Sequence, residues 1–98
     1  MVDSGDSRAA TVVAATAVER RRIWWRSRRG LRELDLLLLP FVEDVFEYLE
    51  PEYQQIYLRL LDNEDPELLA WFTGRAVPLD PELVAMVDRI RAHQRPVS

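Results

Sequence analysis

The chain has 98 residues, close to half of them hydrophobic, no cysteine and a formal net charge of −4. This length allows one small domain, and the missing cysteine excludes disulfides and thiolate metal sites, which fits a reducing compartment such as the cytoplasm. All thirteen basic residues are arginine and seven lie between Arg20 and Arg32, while from Glu33 to Glu67 every charge but Arg59 is acidic; a dipolar chain of this kind points to a protein partner or to internal pairing rather than to nucleic acid or membrane insertion.

Residues 1–18 read as a disordered tail. Their start is acidic, and Glu19-Arg20 stands where a secretory signal needs a small-residue cleavage site. The Ala/Val/Thr tract is too short to span a bilayer. A first helix is expected from Ala17 to Arg29, with Ile23, Trp24 and Ser27 on one face, arginines elsewhere, and Gly30 as its stop. Trp25 falls opposite that face.

A second helix is expected from Leu31 to Leu49. Leu34, Leu37, Leu38, Phe41, Val45 and Leu49 recur at spacings of three and four, and Leu36, Leu39, Val42 and Phe46 widen the stripe. Pro40 lies inside it and predicts a kink or a break. A third helix, Pro51 to Leu61, presents Tyr53, Ile56, Tyr57, Leu60 and Leu61 as its buried face. A fourth opens on Asp65 as cap and Pro66 at the first helical position, buries Leu68, Leu69, Trp71 and Phe72, and ends at Gly74. A fifth repeats the opening with Asp80-Pro81-Glu82 and buries Leu83, Met86, Val87 and Ile90. No segment alternates with period two. The expected fold is all-α, a compact bundle of about five short helices, with a tail over 1–18, a helical domain over 19–92 and a flexible C-terminal tail over 93–98.

The chain carries little catalytic equipment. His93 is the one histidine and sits in the expected tail. The glycines are isolated and form no phosphate loop. Asp62-Asn63-Glu64-Asp65 lacks calcium-loop spacing. No enzyme activity, bound cofactor or metal site is expected. The distinctive stretch is Arg28-Arg29-Gly30-Leu31-Arg32-Glu33-Leu34-Asp35, where an arginine-rich helix meets a leucine-rich one. A glycine between charged neighbours marks a turn or a place where another backbone comes close. Arg29 can offer a planar fork to a partner, and Glu33 can accept from one. In a continuous helix the two could instead pair with each other at i, i+4.

Arg29-Gly30-Leu31-Arg32-Glu33 matches the Arg-Gly-x-x-Glu signature of the bacterial FAD assembly factors, the SdhE-type family. The chain also resembles that family in Trp24, Arg28, Leu34, Asp35, Pro40-Phe41-x-Glu43, Arg59-Leu60-Leu61, Asp65-Pro66-Glu67-Leu68 and Trp71, over roughly Arg22 to Ile90. The resemblance implies a small helical bundle that acts as a monomer. It would bind the flavoprotein subunit of succinate dehydrogenase, or that of fumarate reductase, and promote covalent joining of FAD to a histidine of that subunit. FAD would be the partner's cofactor. The implied partner-binding residues are Arg28, Arg29, Gly30, Glu33 and Asp35. Two other readings stay open: an antitoxin-like or regulatory binding module, and nucleic-acid binding through Arg20 to Arg32 with Trp24 and Trp25 stacking on bases.

Overall fold

The computed structural model describes residues 16–93. The expected tails therefore lie outside the described residues, except at Thr16 to Val18 and at His93. Five α-helices follow one another: α1 Ala17–Ser27, α2 Arg32–Asp44, α3 Pro51–Leu61, α4 Asp65–Phe72 and α5 Pro81–Ala92, with a 3-10 turn at Phe46–Tyr48. No strand occurs among the described residues. The all-α bundle is thus the fold. Among the described residues no helix is long and apolar enough to cross a membrane.

The helices start and stop for local reasons. Thr16 caps α1 by accepting from the Glu19 backbone N–H at 3.1 Å. Asp80 does the same for α5, accepting from the Glu82 N–H at 2.9 Å. The end of α4 is a Schellman motif: Gly74 has φ +81, its N–H bonds Trp71 O, and the Arg75 N–H bonds Ala70 O. The two Asp-Pro-Glu starts differ. Asp80 is the cap of α5, but Asp65 is already the first residue of α4, and the cap position falls to Glu64, whose side chain makes no capping bond. Asp65 is drawn instead to Arg29, as described below.

The central helix is α2, which packs against α1, α4 and α5, while α3 packs on α5. Leu34, Leu38 and Phe41 of α2 are buried and meet Ile23, Tyr57, Leu60, Leu68 and Ile90 in one core. Removing such a leucine side chain costs about 2–5 kcal/mol, because the cavity adds to the lost transfer energy. Leu36 does not join them and is 61% exposed. It stands two residues from both Leu34 and Leu38, and so about 160–200° away around the helix.

The expected helix from Leu31 to Leu49 is shorter at its far end. It runs through Pro40 without breaking and stops at Asp44. Val45 then leaves helical geometry at φ −120, ψ −36. Glu43 and Asp44 crowd the negative end of the helix dipole, and no basic residue occupies the last turn. The 3-10 turn that follows lets Phe46 and Leu49 both reach the core. Buried Gln54 holds that turn by donating Nε2–H to Phe46 O at 3.0 Å. Gln54 thereby takes a place on α3 that periodicity assigns to Tyr53, which is 38% exposed, with the Arg89 guanidinium over its ring.

Two further polar contacts tie the bundle together. Ser27 donates to Ile23 O at 2.9 Å, so its oxygen is free to accept the Tyr57 hydroxyl at 2.7 Å. This satisfies the one polar end of a fully buried aromatic ring. His93 lies 3.0 Å from Asp44 and edge-on to Phe41, so the residue just past α5 is anchored to the end of α2.

Candidate partner-binding surface

The turn between α1 and α2 is built from behind. Arg29, one residue before Gly30, is turned into the protein with its side chain only 16% exposed. Its Nε–H donates to Asp65 Oδ1 at 2.7 Å. Its terminal nitrogens donate to Leu61 O at 3.1 Å, to Asn63 O at 2.8 Å and to Arg26 O at 3.1 Å. Leu61 is the last residue of α3, and its carbonyl has no partner within the helix. The guanidinium therefore sits at the negative end of α3 and pairs with an acid at the positive end of α4. A planar, always-charged fork suits three carbonyls and a carboxylate better than an ammonium would.

The backbone of the turn is held by the other acid of the stretch. Asp35 Oδ1 accepts from the Arg29 backbone N–H at 2.8 Å, reaching back from the first turn of α2. Gly30 then takes φ +83, the left-handed region that favours glycine. A β-carbon built there would meet nothing within 4 Å. The glycine is needed for its backbone angle rather than for room inside this chain, and its outer side is open.

What faces outward is a different set. Arg28, Gly30, Leu31, Arg32 and Glu33 are all exposed. Leu31 holds the cap position of α2 but supplies no side-chain acceptor, so the first N–H groups of that helix lack a cap. Glu33 is favoured there by the helix dipole, and among the described residues it has no ion pair. The intrahelical Arg29–Glu33 pairing that spacing allows does not form, because the chain leaves helical geometry between Ser27 and Arg32 and Arg29 is engaged elsewhere.

The tryptophans separate by role. Trp24 is half-buried and donates its indole N–H to Glu43 at 2.5 Å, fastening α1 to α2. Trp25 stands edge-on to Trp24 and is 58% exposed, with the Arg28 guanidinium 5.9 Å from its ring centre. No group of three or more histidine, cysteine or carboxylate side chains among the described residues is arranged to hold a metal.

Of the five residues singled out in the sequence, Arg28, Gly30 and Glu33 are on the surface, while Arg29 and Asp35 fix the turn that displays them. Sequence reasoning missed Asp65, the acid that holds Arg29. Its place in an Asp-Pro-Glu helix start gave it a sufficient local explanation.

Residues 21–94 match the family described as flavinator of succinate dehydrogenase. An FAD assembly factor SdhE of Shewanella oneidensis is 48% identical over 75 residues, covering 76% of this chain and 92% of that protein. One from Pseudomonas savastanoi pv. phaseolicola is 44% identical over 79 residues, covering 81% and 94%. One from Vibrio cholerae is 42% identical over 78 residues, covering 80% and 91%. With a match across the described bundle and this level of identity, the chain belongs to the flavinator of succinate dehydrogenase family, the FAD assembly factors.

Proposed function

We propose that the chain binds the flavoprotein subunit of succinate dehydrogenase one-to-one in the cytoplasm and promotes covalent attachment of FAD to a histidine of that subunit. The flavoprotein of fumarate reductase is a second client of the same kind. The chain is an assembly factor and not itself an enzyme. The reactive histidine and the flavin belong to the partner.

The observation that carries this reading is the Gly30 turn. It is exposed, open on its outer side, and held from within by Arg29 and Asp35. A turn fixed in this way loses little conformational freedom on binding, so more of the contact energy is left for affinity. Gly30 lets the partner's backbone come close. Arg28 and Glu33 supply charges of opposite sign beside it. Arg29 and Asp35 are positioning residues behind them. The chain acts by holding: it stabilises the flavoprotein conformation in which histidine and flavin are near attack geometry.

The test is deletion and complementation. Without the chain, the denatured flavoprotein subunit should lose its in-gel flavin fluorescence. Wild-type chain should restore it, and Gly30→Arg should not. Full fluorescence with Gly30→Arg would contradict the assignment.

A further inference from the structure

The solvent face of α1 carries a second feature. Ile23 and Ser27 are its buried residues. At 100° per residue, Trp25 lies about 180° from their mean direction. A tryptophan placed there has no core role, and Arg21, Arg22 and Arg28 flank it at helical spacings of three and four. All three are exposed. Arg20, Arg26 and Arg29 are drawn into pairs with Glu47, Asp62 and Asp65. Among the described residues Arg21, Arg22 and Arg28 have no ion pair, and the Arg28 guanidinium lies over the Trp25 ring. Glu19, the one acid of α1, lies about 120° from Trp25 around the helix. A chain of net charge −4 thus keeps an uncompensated basic strip around one exposed aromatic ring. The strip ends at Arg28, two residues before Gly30, so it is continuous with the turn.

We infer that the Arg21-Arg22-Trp25-Arg28 face of α1 is a second half of the docking surface and receives an acidic segment of the flavoprotein subunit. The inference rests on the proposed function and extends it from the turn onto the helix. Exposed tryptophan and arginine are the residue types that dominate interface energetics. An acidic partner segment would neutralise the strip and steer encounter, while Trp25 gives up its exposed apolar surface. A nucleic acid fits less well. The strip offers only three arginines on a chain of net charge −4, and a phosphate backbone would run past them onto the acidic remainder of the surface.

The experiment titrates the flavoprotein subunit of a bacterial succinate dehydrogenase, produced without an assembly factor, with the full chain. Wild type, Trp25→Ala, the double variant Arg21→Gln/Arg22→Gln and Gly30→Arg are compared at low and raised salt. Trp25→Ala should weaken binding about tenfold or more. The double variant should weaken it too and flatten its salt dependence, and the melting temperature should stay at the wild-type value for both. If both variants bind within twofold of wild type while Gly30→Arg does not bind, the strip is no docking surface and the role of the turn stands. If wild type and Gly30→Arg bind equally, the proposed function itself fails. Tighter, steeply salt-dependent binding of the wild-type chain to single-stranded RNA than to the flavoprotein would also overturn the inference.

Discussion

Arg29 and Asp65 stand 36 residues apart in sequence and 2.7 Å apart in space, with the arginine side chain mostly enclosed. This contact joins the start of α4 to the turn between α1 and α2. Removing Arg29 would leave Asp65 and the carbonyls of Leu61 and Asn63 without their donor. Arg29→Ala should therefore lower unfolding stability by about 1.5–3 kcal/mol, the range for losing hydrogen bonds to a charged group. Arg29→Lys should recover only part, since an ammonium cannot reproduce the fork. Urea denaturation measures both.

Substitutions at Gly30 should separate folding from the proposed binding. Alanine there meets no neighbour and bears only the left-handed backbone cost of about 1–2 kcal/mol. Gly30→Asn should cost less than Gly30→Ala, because asparagine tolerates that conformation. Gly30→Arg should fold with a similar modest loss yet abolish flavoprotein binding. Circular dichroism melts paired with binding titrations read the two effects apart.

The Ser27–Tyr57 contact predicts an asymmetry. Ser27→Ala leaves the Tyr57 hydroxyl buried without an acceptor and should cost about 1–3 kcal/mol. Tyr57→Phe should cost less, because Ser27 keeps its bond to Ile23 O. Burial, the largest cause, pushes the Tyr57 phenol well above its ordinary value of 10.0. The unfolded chain releases that proton near pH 10 and the folded chain holds it. Above pH 10 the unfolded state binds fewer protons, so stability falls as pH rises. Tyr57→Phe should remove that part of the alkaline loss in denaturation curves taken from pH 8 to pH 11.

Asp80 gives the acid-side counterpart. The Arg59 hydrogen bond and then the Glu82 backbone N–H hold its carboxyl below the ordinary value of 3.8. Its contribution is present above that value and is lost as pH falls through the lowered one. Asp80→Asn keeps a capping oxygen but loses the charge. It should be more stable than Asp80→Ala at pH 7 and should show a weaker acid-side decline than wild type, both read from thermal melts.

Much of this bundle is written locally. The bounds of α3, the capped start of α5 and the Schellman end of α4 follow from proline, aspartate and glycine at set positions, and these act through bonds within one turn of the chain. The end of α2 was not readable that way. Its apolar stripe continues to Leu49, but Phe46 and Leu49 reach the core through a 3-10 turn that depends on Gln54 from the next helix. A polar residue buried by a distant carbonyl leaves no periodic trace. The site divides likewise. The glycine, its charged neighbours and the isolation of Trp25 were visible in the sequence. The inward turn of Arg29 was not, because its partners come from the α3–α4 corner, brought near only by the fold.

The most direct test of the account is the rate at which purified, unflavinylated succinate dehydrogenase flavoprotein acquires covalent FAD in the presence of excess FAD and this chain. Wild-type chain should raise the rate well above the unassisted one. Glu33→Ala and Gly30→Arg should leave it near the unassisted rate while remaining folded. A wild-type chain that leaves the rate unchanged, or two variants that match the wild type, would contradict the assignment of the Gly30 turn as the working surface of an FAD assembly factor.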